Sequence, residues 1–360
     1  MTRPDAGELD QALDGARVVV CCGSGGVGKT TTAAALGLEL ARRGQRAVVV
    51  TIDPARRLAD ALGLPDGLGN EPARLPIGGR GELWAMMLDT RATFDSLVRL
   101  HAPDPAQAER ILGNRFYRNV AGALSGTQEY MAAEKLQALR GDDRFDVVVV
   151  DTPPTRNALD FLEAPGTLAR FLDHPLFRLM MLPARKGLKV LNVAAQPVLR
   201  TIGKVVGADV LADAIAFFQA FEGMETGFRN RADEVIALLR SAETRYVLVA
   251  SPRADTVDEA RWFARRLRET ALAPAALVVN RATPSFTPPR GRRRPVDGEL
   301  WRNLEDLNAL AAAEHQLLGP LLFEVGDAAV TWVPLLGSDV HDLDGLEEIR
   351  ARIFHDGRRA

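Results

Sequence analysis

Short, unbroken apolar runs recur along the chain: ARVVVCC, RAVVVTID, ELWAMML, FDVVVVD, TRYVLVASP and PAALVVNR. Each is too short for a helix and does not alternate with polar residues, so each predicts a strand buried on both faces. Helix-like sequence separates them. This order predicts an α/β fold: a mostly parallel sheet flanked by helices. After the first run, TTTAAALGLELARRG passes through good helix formers to Arg42 and Arg43 and stops at Gly44, a sensible C-terminal signal. Between 91 and 141, and again between 161 and 239, the pattern turns mainly helical. These stretches are expected to be two insertions that form one helical lobe on a single domain spanning 1–360. The stretches Gly63–Gly81 and Pro284–Pro295, dense in Pro and Gly, read as surface loops.

Composition narrows the classes. The chain has 360 residues and is 47% hydrophobic and 26% charged, an ordinary globular balance. With 45 basic and 47 acidic residues the net charge is -2, which gives no bulk reason to expect nucleic acid, and no specific nucleic-acid binding is expected. The only cysteines, Cys21 and Cys22, are neighbours; they form neither a disulfide framework nor a spaced metal clamp, and a reducing cytoplasm is the expected setting. Asp5, Glu8, Asp10 and Asp14 crowd the start, unlike a secretory signal. Nor does an apolar run of about 18 residues predict a membrane span.

One segment keeps peripheral membrane contact open. From His174 to Ala208 there is no acid, while Arg178, Arg185, Lys186, Lys189, Arg200 and Lys204 sit among apolar residues. Such a segment suits an anionic bilayer or a hydrophobic client helix; packing within its own lobe, with the basic face solvated, serves equally. The arginines 292–294 between prolines read as a solvated loop, and Glu129 and Glu134 receive no role.

The chemistry concentrates at GSGGVGKT, Gly23–Thr30. It satisfies G-x-x-x-x-G-K-[ST] with a predicted strand before it and a helix after it, the context of a phosphate-binding loop. Gly23, Ser24, Gly25, Gly26, Val27 and Gly28 would let successive backbone N–H groups face one anion, helped by the following helix N-terminus. Lys29 would reach the β- and γ-phosphates, Thr30 would ligate Mg²⁺, and Thr31 would bond the α-phosphate of ATP. The run FDVVVVD delivers Asp151 to the carboxyl end of a buried strand, where it could hold Mg²⁺ through water.

With these residues in place, the chain resembles the ArsA-type ATPases, the family of the arsenite-pump ATPase and of the guided-entry ATPases for tail-anchored membrane proteins. The resemblance rests on GSGGVGKTT, TIDPARRLADALG, DTPPTRNAL, VVNR and VPLLGSDVHDLDGL, in an order covering nearly the whole chain. It implies a first switch at Asp53 and Pro54, with Asp53 orienting the attacking water; a carboxylate at that strand end is also chemically fit to accept a hydrogen bond from water. It implies a second switch at Asp151, Thr152, Pro153 and Pro154 that senses the γ-phosphate. It further implies that Asn280 reads the adenine while Pro334 and Leu335 pack on the base.

The departures from the family pattern matter as much. Relatives commonly carry lysine where this chain has Ser24, and that lysine reaches the partner's nucleotide in a dimer. A serine supplies no cation. The expected arrangement is a dimer with a second ATPase subunit, either a lysine-bearing paralogue that lends its charge or a second copy that turns over slowly. The adjacent Cys21 and Cys22 argue against arsenite capture, and no Cys-x-x-Cys pair is present to bridge a dimer through zinc. Arg156 and Asn157 replace the usual glycine and histidine of the second switch, and Arg253 replaces a ribose-side glutamate. The resulting expectation is Mg²⁺-dependent ATP hydrolysis coupled to an anion-transport membrane partner or a hydrophobic client; a nucleotide-binding regulatory subunit and a partitioning ATPase are the alternatives.

Overall fold

The protein is described from a computed structural model over residues 6–53, 56–120, 127–153, 207–220, 223–287 and 298–354. Six of its strands are the apolar runs: β1 (Val18–Gly23), β2 (Arg46–Thr51), β4 (Glu82–Met87), β5 (Val147–Asp151), β6 (Thr244–Ala250) and β7 (Pro274–Ala282). Two more, β3 (Ala73–Leu75) and β8 (Ala329–Pro334), complete one eight-stranded sheet in the order β3-β4-β2-β5-β1-β6-β7-β8. Every pairing is parallel except β3 with β4, so the fold is the expected α/β sheet. The sequence pattern missed both edges. The three-residue β3 lies inside the stretch read as a loop, and β8 alternates buried and half-buried positions, with one face packing into the core through Ala329 and Val333.

Burial explains the central strands. All residues of β1 and β5 are buried, and helix α2 (Lys29–Arg42) packs Ala33, Ala34, Ala35, Leu36, Leu38 and Ala41 into the same core. Alanines let the helix lie close to the sheet while valines fill the space between strands. On this core sit α1 (Ala6–Ala12) through Leu9 and α3 (Arg57–Ala61) through Leu58.

The chain divides into two compact units: 1–87, 139–159 and 240–360 in one, and 88–138 and 160–239 in the other. The second is helical in its described residues, with α4 (Thr90–His101), α5 (Pro105–Leu112), α6 (Arg115–Val120), α7 (Thr127–Arg140, whose end belongs to the first unit), α8 (Ala208–Ala220) and α9 (Glu225–Arg240). Asp89 caps α4 by accepting from Ala92 N, and Asp104 caps α5 by accepting from Gln107 N, with Pro105 at its first position. Leu97, Val98, Ile111, Tyr130, Met131 and Phe228 form the core of this unit, and Arg231 pairs there with the buried Glu134 at 2.6 Å. The basic segment between His174 and Ala208 falls almost entirely outside the described residues. No helix among the described residues is long and apolar enough to cross a membrane.

In the first unit α10 (Ala254–Glu269), α11 (Gly298–Val325) and α12 (Leu343–Phe354) complete the helices. A charged knot fastens α12 to α2: buried Glu39 accepts from Arg43 Nε at 2.8 Å and pairs with buried Arg350, while Arg43 also reaches Asp10 of α1. Arg350→Ala leaves the buried Glu39 with Arg43 as its cationic partner and removes one charged hydrogen bond, which should lower stability by about 2 kcal/mol, read as a lower urea midpoint for the sheet unit with an unchanged slope.

Candidate nucleotide site

The site is built at the carboxyl ends of the central strands. Register places Cys21 of β1 and Thr51 of β2 level with Asp151 of β5, and Gly23 beside Val249 of β6. The chain then turns through Gly26 and Gly28, whose φ values of 77° and 93° lie in the left-handed region. At Gly23 a Cβ would stand 2.1 Å from Val249 O, so the close strand approach admits only glycine. The N-cap of α2 is Gly28, with no side-chain cap. Its first amides are therefore not claimed by a capping side chain, the feature that makes a helix start attractive to anions.

Side chains grip the loop by its carbonyls. Lys29 Nζ donates to Ser24 O at 2.8 Å, Arg281 Nη1 to Gly26 O at 2.9 Å, and Asn280 Nδ2 to Val27 O at 2.8 Å. A trans peptide points its N–H opposite its C=O, so each carbonyl held this way directs the next amide to the other side of the loop. Gly25 and Gly26 are exposed, Val27 is buried beneath the turn, and Thr31 is half-buried.

The acid of β5 sits under the loop. Thr30 Oγ1 donates to Asp151 Oδ2 at 2.7 Å and Thr51 Oγ1 to the same oxygen at 2.9 Å. Asp151 Oδ1 is buried without a hydrogen-bond partner. Desolvation raises the Asp151 pKa despite those two hydroxyls and the nearby Lys29. A buried carboxylate with one orphan oxygen beside a threonine hydroxyl is a donor set for a hard cation. The residues present fit Mg²⁺.

Lys29 is buried too, and burial lowers its pKa, with Asp151 working against that effect. Burial pushes the Cys22 thiol up to about 12 and raises Cys21 as well, so neither offers a thiolate. Thr152 Oγ1 donates to Cys21 O at 2.7 Å, and Pro153 is buried beside it. Pro54, Pro154, Arg156 and Asn157 lie outside the described residues.

The remaining sequence candidates have clear places. Asp53 follows β2, its backbone N–H donating to Thr51 Oγ1 at 3.3 Å and its carboxylate pairing with Arg57 at 2.8 Å. Asn280 is engaged on both amide atoms, since its Oδ1 accepts from Arg281 N at 2.9 Å. Pro334 pairs with Ala282, and Leu335 N donates to Ala282 O, leaving the Leu335 side chain 62% exposed. Arg253 is exposed and paired with Asp255 at the start of α10. Sequence reasoning missed Thr51, Arg57, Arg281 and Glu259. Ser24 is only 4% exposed, and its Oγ donates to Glu259 Oε2 of α10 at 2.7 Å. Nothing in the sequence links positions so far apart.

A family model described as an anion-transporting ATPase, the ArsA ATPase, matches residues 16–354. The chain belongs to the ArsA ATPase family. It is 27% identical to an ATPase named get3 from Aspergillus terreus over 338 residues, which is 92% of this chain and 89% of that protein. It is 27% identical to an ATPase named GET3 from Rhodotorula glutinis over 273 residues, 76% of this chain and 71% of the relative. An uncharacterised protein from Streptomyces coelicolor is 28% identical over 349 residues, 95% of this chain and 81% of its own length. The family membership makes this protein a nucleotide-binding ATPase.

The desolvated acid of this ArsA-family site has a measurable consequence. A group whose folded-state pKa is raised favours folding below its unfolded pKa and loses that contribution as pH rises through the folded value. Ligand-free Asp151→Asn should therefore be more stable than the parent above the ordinary carboxylate range and not below it, while losing metal-stimulated turnover. Denaturation midpoints across pH, beside activity titrated with Mg²⁺, check both halves.

Proposed function

We propose that the protein hydrolyses ATP with Mg²⁺ and uses the nucleotide cycle to move its helical unit. The convergence of Lys29, Thr30, Thr51, Asp53 and Asp151 at the phosphate loop carries this reading. Thr30 and Asp151 hold Mg²⁺, which when bound offsets charge on the phosphate oxygens. The loop amides of residues 24–28 and Thr31 bind the phosphate chain, and Lys29 leaves or shares Ser24 O to neutralise the β- and γ-phosphates. Asp53 orients the water for in-line attack. Asn280, which braces the loop at Val27, reads the adenine in this proposal, and Pro334 and Leu335 pack on the base. The segments at Asp53–Pro54 and Asp151–Pro154 act as the two switches.

Dimerisation brings a second ATPase subunit, either another copy of this chain or a lysine-bearing paralogue. The family description as an anion-transporting ATPase supports a membrane transport partner, and the relatives named GET3 support a hydrophobic client. The protein works in the cytoplasm, peripheral to the membrane when it delivers or gates. A regulatory subunit of negligible turnover is the second reading, favoured by one observation: Ser24 is buried and tied to Glu259 within the same chain.

Steady-state hydrolysis decides between them. Lys29→Ala should lower kcat at least about 100-fold, the scale of a removed transition-state charge contact; an equal rate in parent and variant overturns the ATPase site. Ser24→Lys tests the trans cation with a built-in complication, because the new ammonium meets Glu259 in its own chain. Turnover should rise more in Ser24→Lys/Glu259→Gln than in Ser24→Lys alone. If neither variant, nor an added lysine-bearing relative, changes the rate, the partner-supplied lysine is discarded.

A further inference from the structure

Position 24 is closed as a source of charge: the Ser24 hydroxyl is spent on Glu259 and its carbonyl on Lys29. Among the described residues, Arg281 and Arg57 are further cations near the loop. Arg281 lies on the Asn280 side, donating to Gly26 O, where it serves the loop rather than the phosphate end. Arg57 lies on the opposite, metal side. It opens the short helix α3 and, among the described residues, pairs with Asp53 Oδ2 at 2.8 Å across an i,i+4 step.

That pair is poised to open. The Arg57 side chain is 63% exposed while that of Asp53 is 19% exposed, so the guanidinium end of the pair lies in solvent and can leave without unpacking the core. The Lys29 ammonium feels the charges of both Arg57 and Asp53, besides that of Asp151, so Arg57 stands in the same electrostatic neighbourhood as the lysine that meets the β- and γ-phosphates. A guanidinium is always charged and matches phosphate oxygens with a two-pronged donor face. A γ-phosphate, with more negative charge than one carboxylate, competes for it.

We propose that Arg57 is a catalytic residue that swings from Asp53 to the γ-phosphate of bound ATP and supplies in cis the cation that Ser24 does not. The proposal deepens the ATPase reading above and rests on it. In the step it serves, a water oxygen forms a bond to the γ-phosphorus as the bond from that phosphorus to the β,γ-bridging oxygen breaks. The electron pair of the broken bond stays on ADP, and the water proton passes to the released phosphate or, through Asp53, to solvent. The same swing takes the guanidinium off Asp53 Oδ2, the oxygen that then accepts the hydrogen bond from that water.

Arg57→Ala, Arg57→Lys and Lys29→Ala in the full chain test it, with kcat measured beside the affinity for ATP and for ADP with aluminium fluoride, a mimic of the transferring phosphoryl group. Arg57→Ala is expected to lose about 100-fold or more in kcat. It should keep ATP affinity within a few-fold and lose affinity for the fluoride complex. Arg57→Lys should retain part of the rate, and added guanidinium should restore part of the Arg57→Ala loss. If Arg57→Ala turns over at the parent rate, or loses ATP binding and kcat/KM in step with kcat unchanged, while Lys29→Ala is inactive, the role of Arg57 is overturned and the ATPase site stands. If Lys29→Ala is also fully active, the site itself is wrong and this proposal falls with it.

Discussion

The carboxylate of Asp151 is the constraint on which the rest of the site depends. It is 1% exposed, at the end of a strand flanked by β1 and β2, with two threonine hydroxyls on one oxygen and nothing on the other. Burying an acid in this way is unfavourable without a compensating charge. The neighbouring groups are the ones that make such a position useful: Thr30 opens toward a cation, and Lys29 stands near enough to be felt. Folding thus holds a buried acid with one oxygen left for a further partner, so any cation that binds there is linked to stability at one residue.

The loop above that acid is stiffened from outside. Three carbonyls, at residues 24, 26 and 27, are held by Lys29, Arg281 and Asn280. Asn280 belongs to a strand two places away from β1, with β6 between them. The amide therefore ties the phosphate loop to the far side of the sheet, and the missing Cβ of Gly28 is what lets it approach, since a Cβ there would be 2.3 Å from Asn280 Nδ2. Preorganisation of this kind puts the ordering cost into folding and spares it during the reaction.

Charge around the loop is distributed unlike the pattern implied by the family resemblance. Where a lysine was expected, a serine is turned inward to Glu259. In the segment DPARR that follows β2, the second arginine is turned toward Asp53. Both are contacts inside one chain, and together they move the question of the cation from the partner to the switch itself.

Much of this was legible in the sequence. The six apolar runs became six strands of the sheet, because runs of that length, rich in β-branched residues and too short for a buried helix, suit a strand covered on both faces. GSGGVGKT announced the phosphate loop, because glycine spacing, lysine and threonine are chemical requirements that local sequence must meet. The edge strands β3 and β8 were not legible, since an edge needs no continuous apolar run and a three-residue strand exists only through its neighbour. Nor were the partners of the site residues. That Ser24 meets Glu259, Asn280 meets Val27 and Thr51 meets Asp151 depends on strand order and helix placement across gaps of 235, 253 and 100 residues. The sequence by itself determined which chemical groups stand at each strand end; the tertiary structure alone decided which of them touch, because hydrogen bonds and ion pairs reach only a few ångströms while the chain brings its distant parts together by packing.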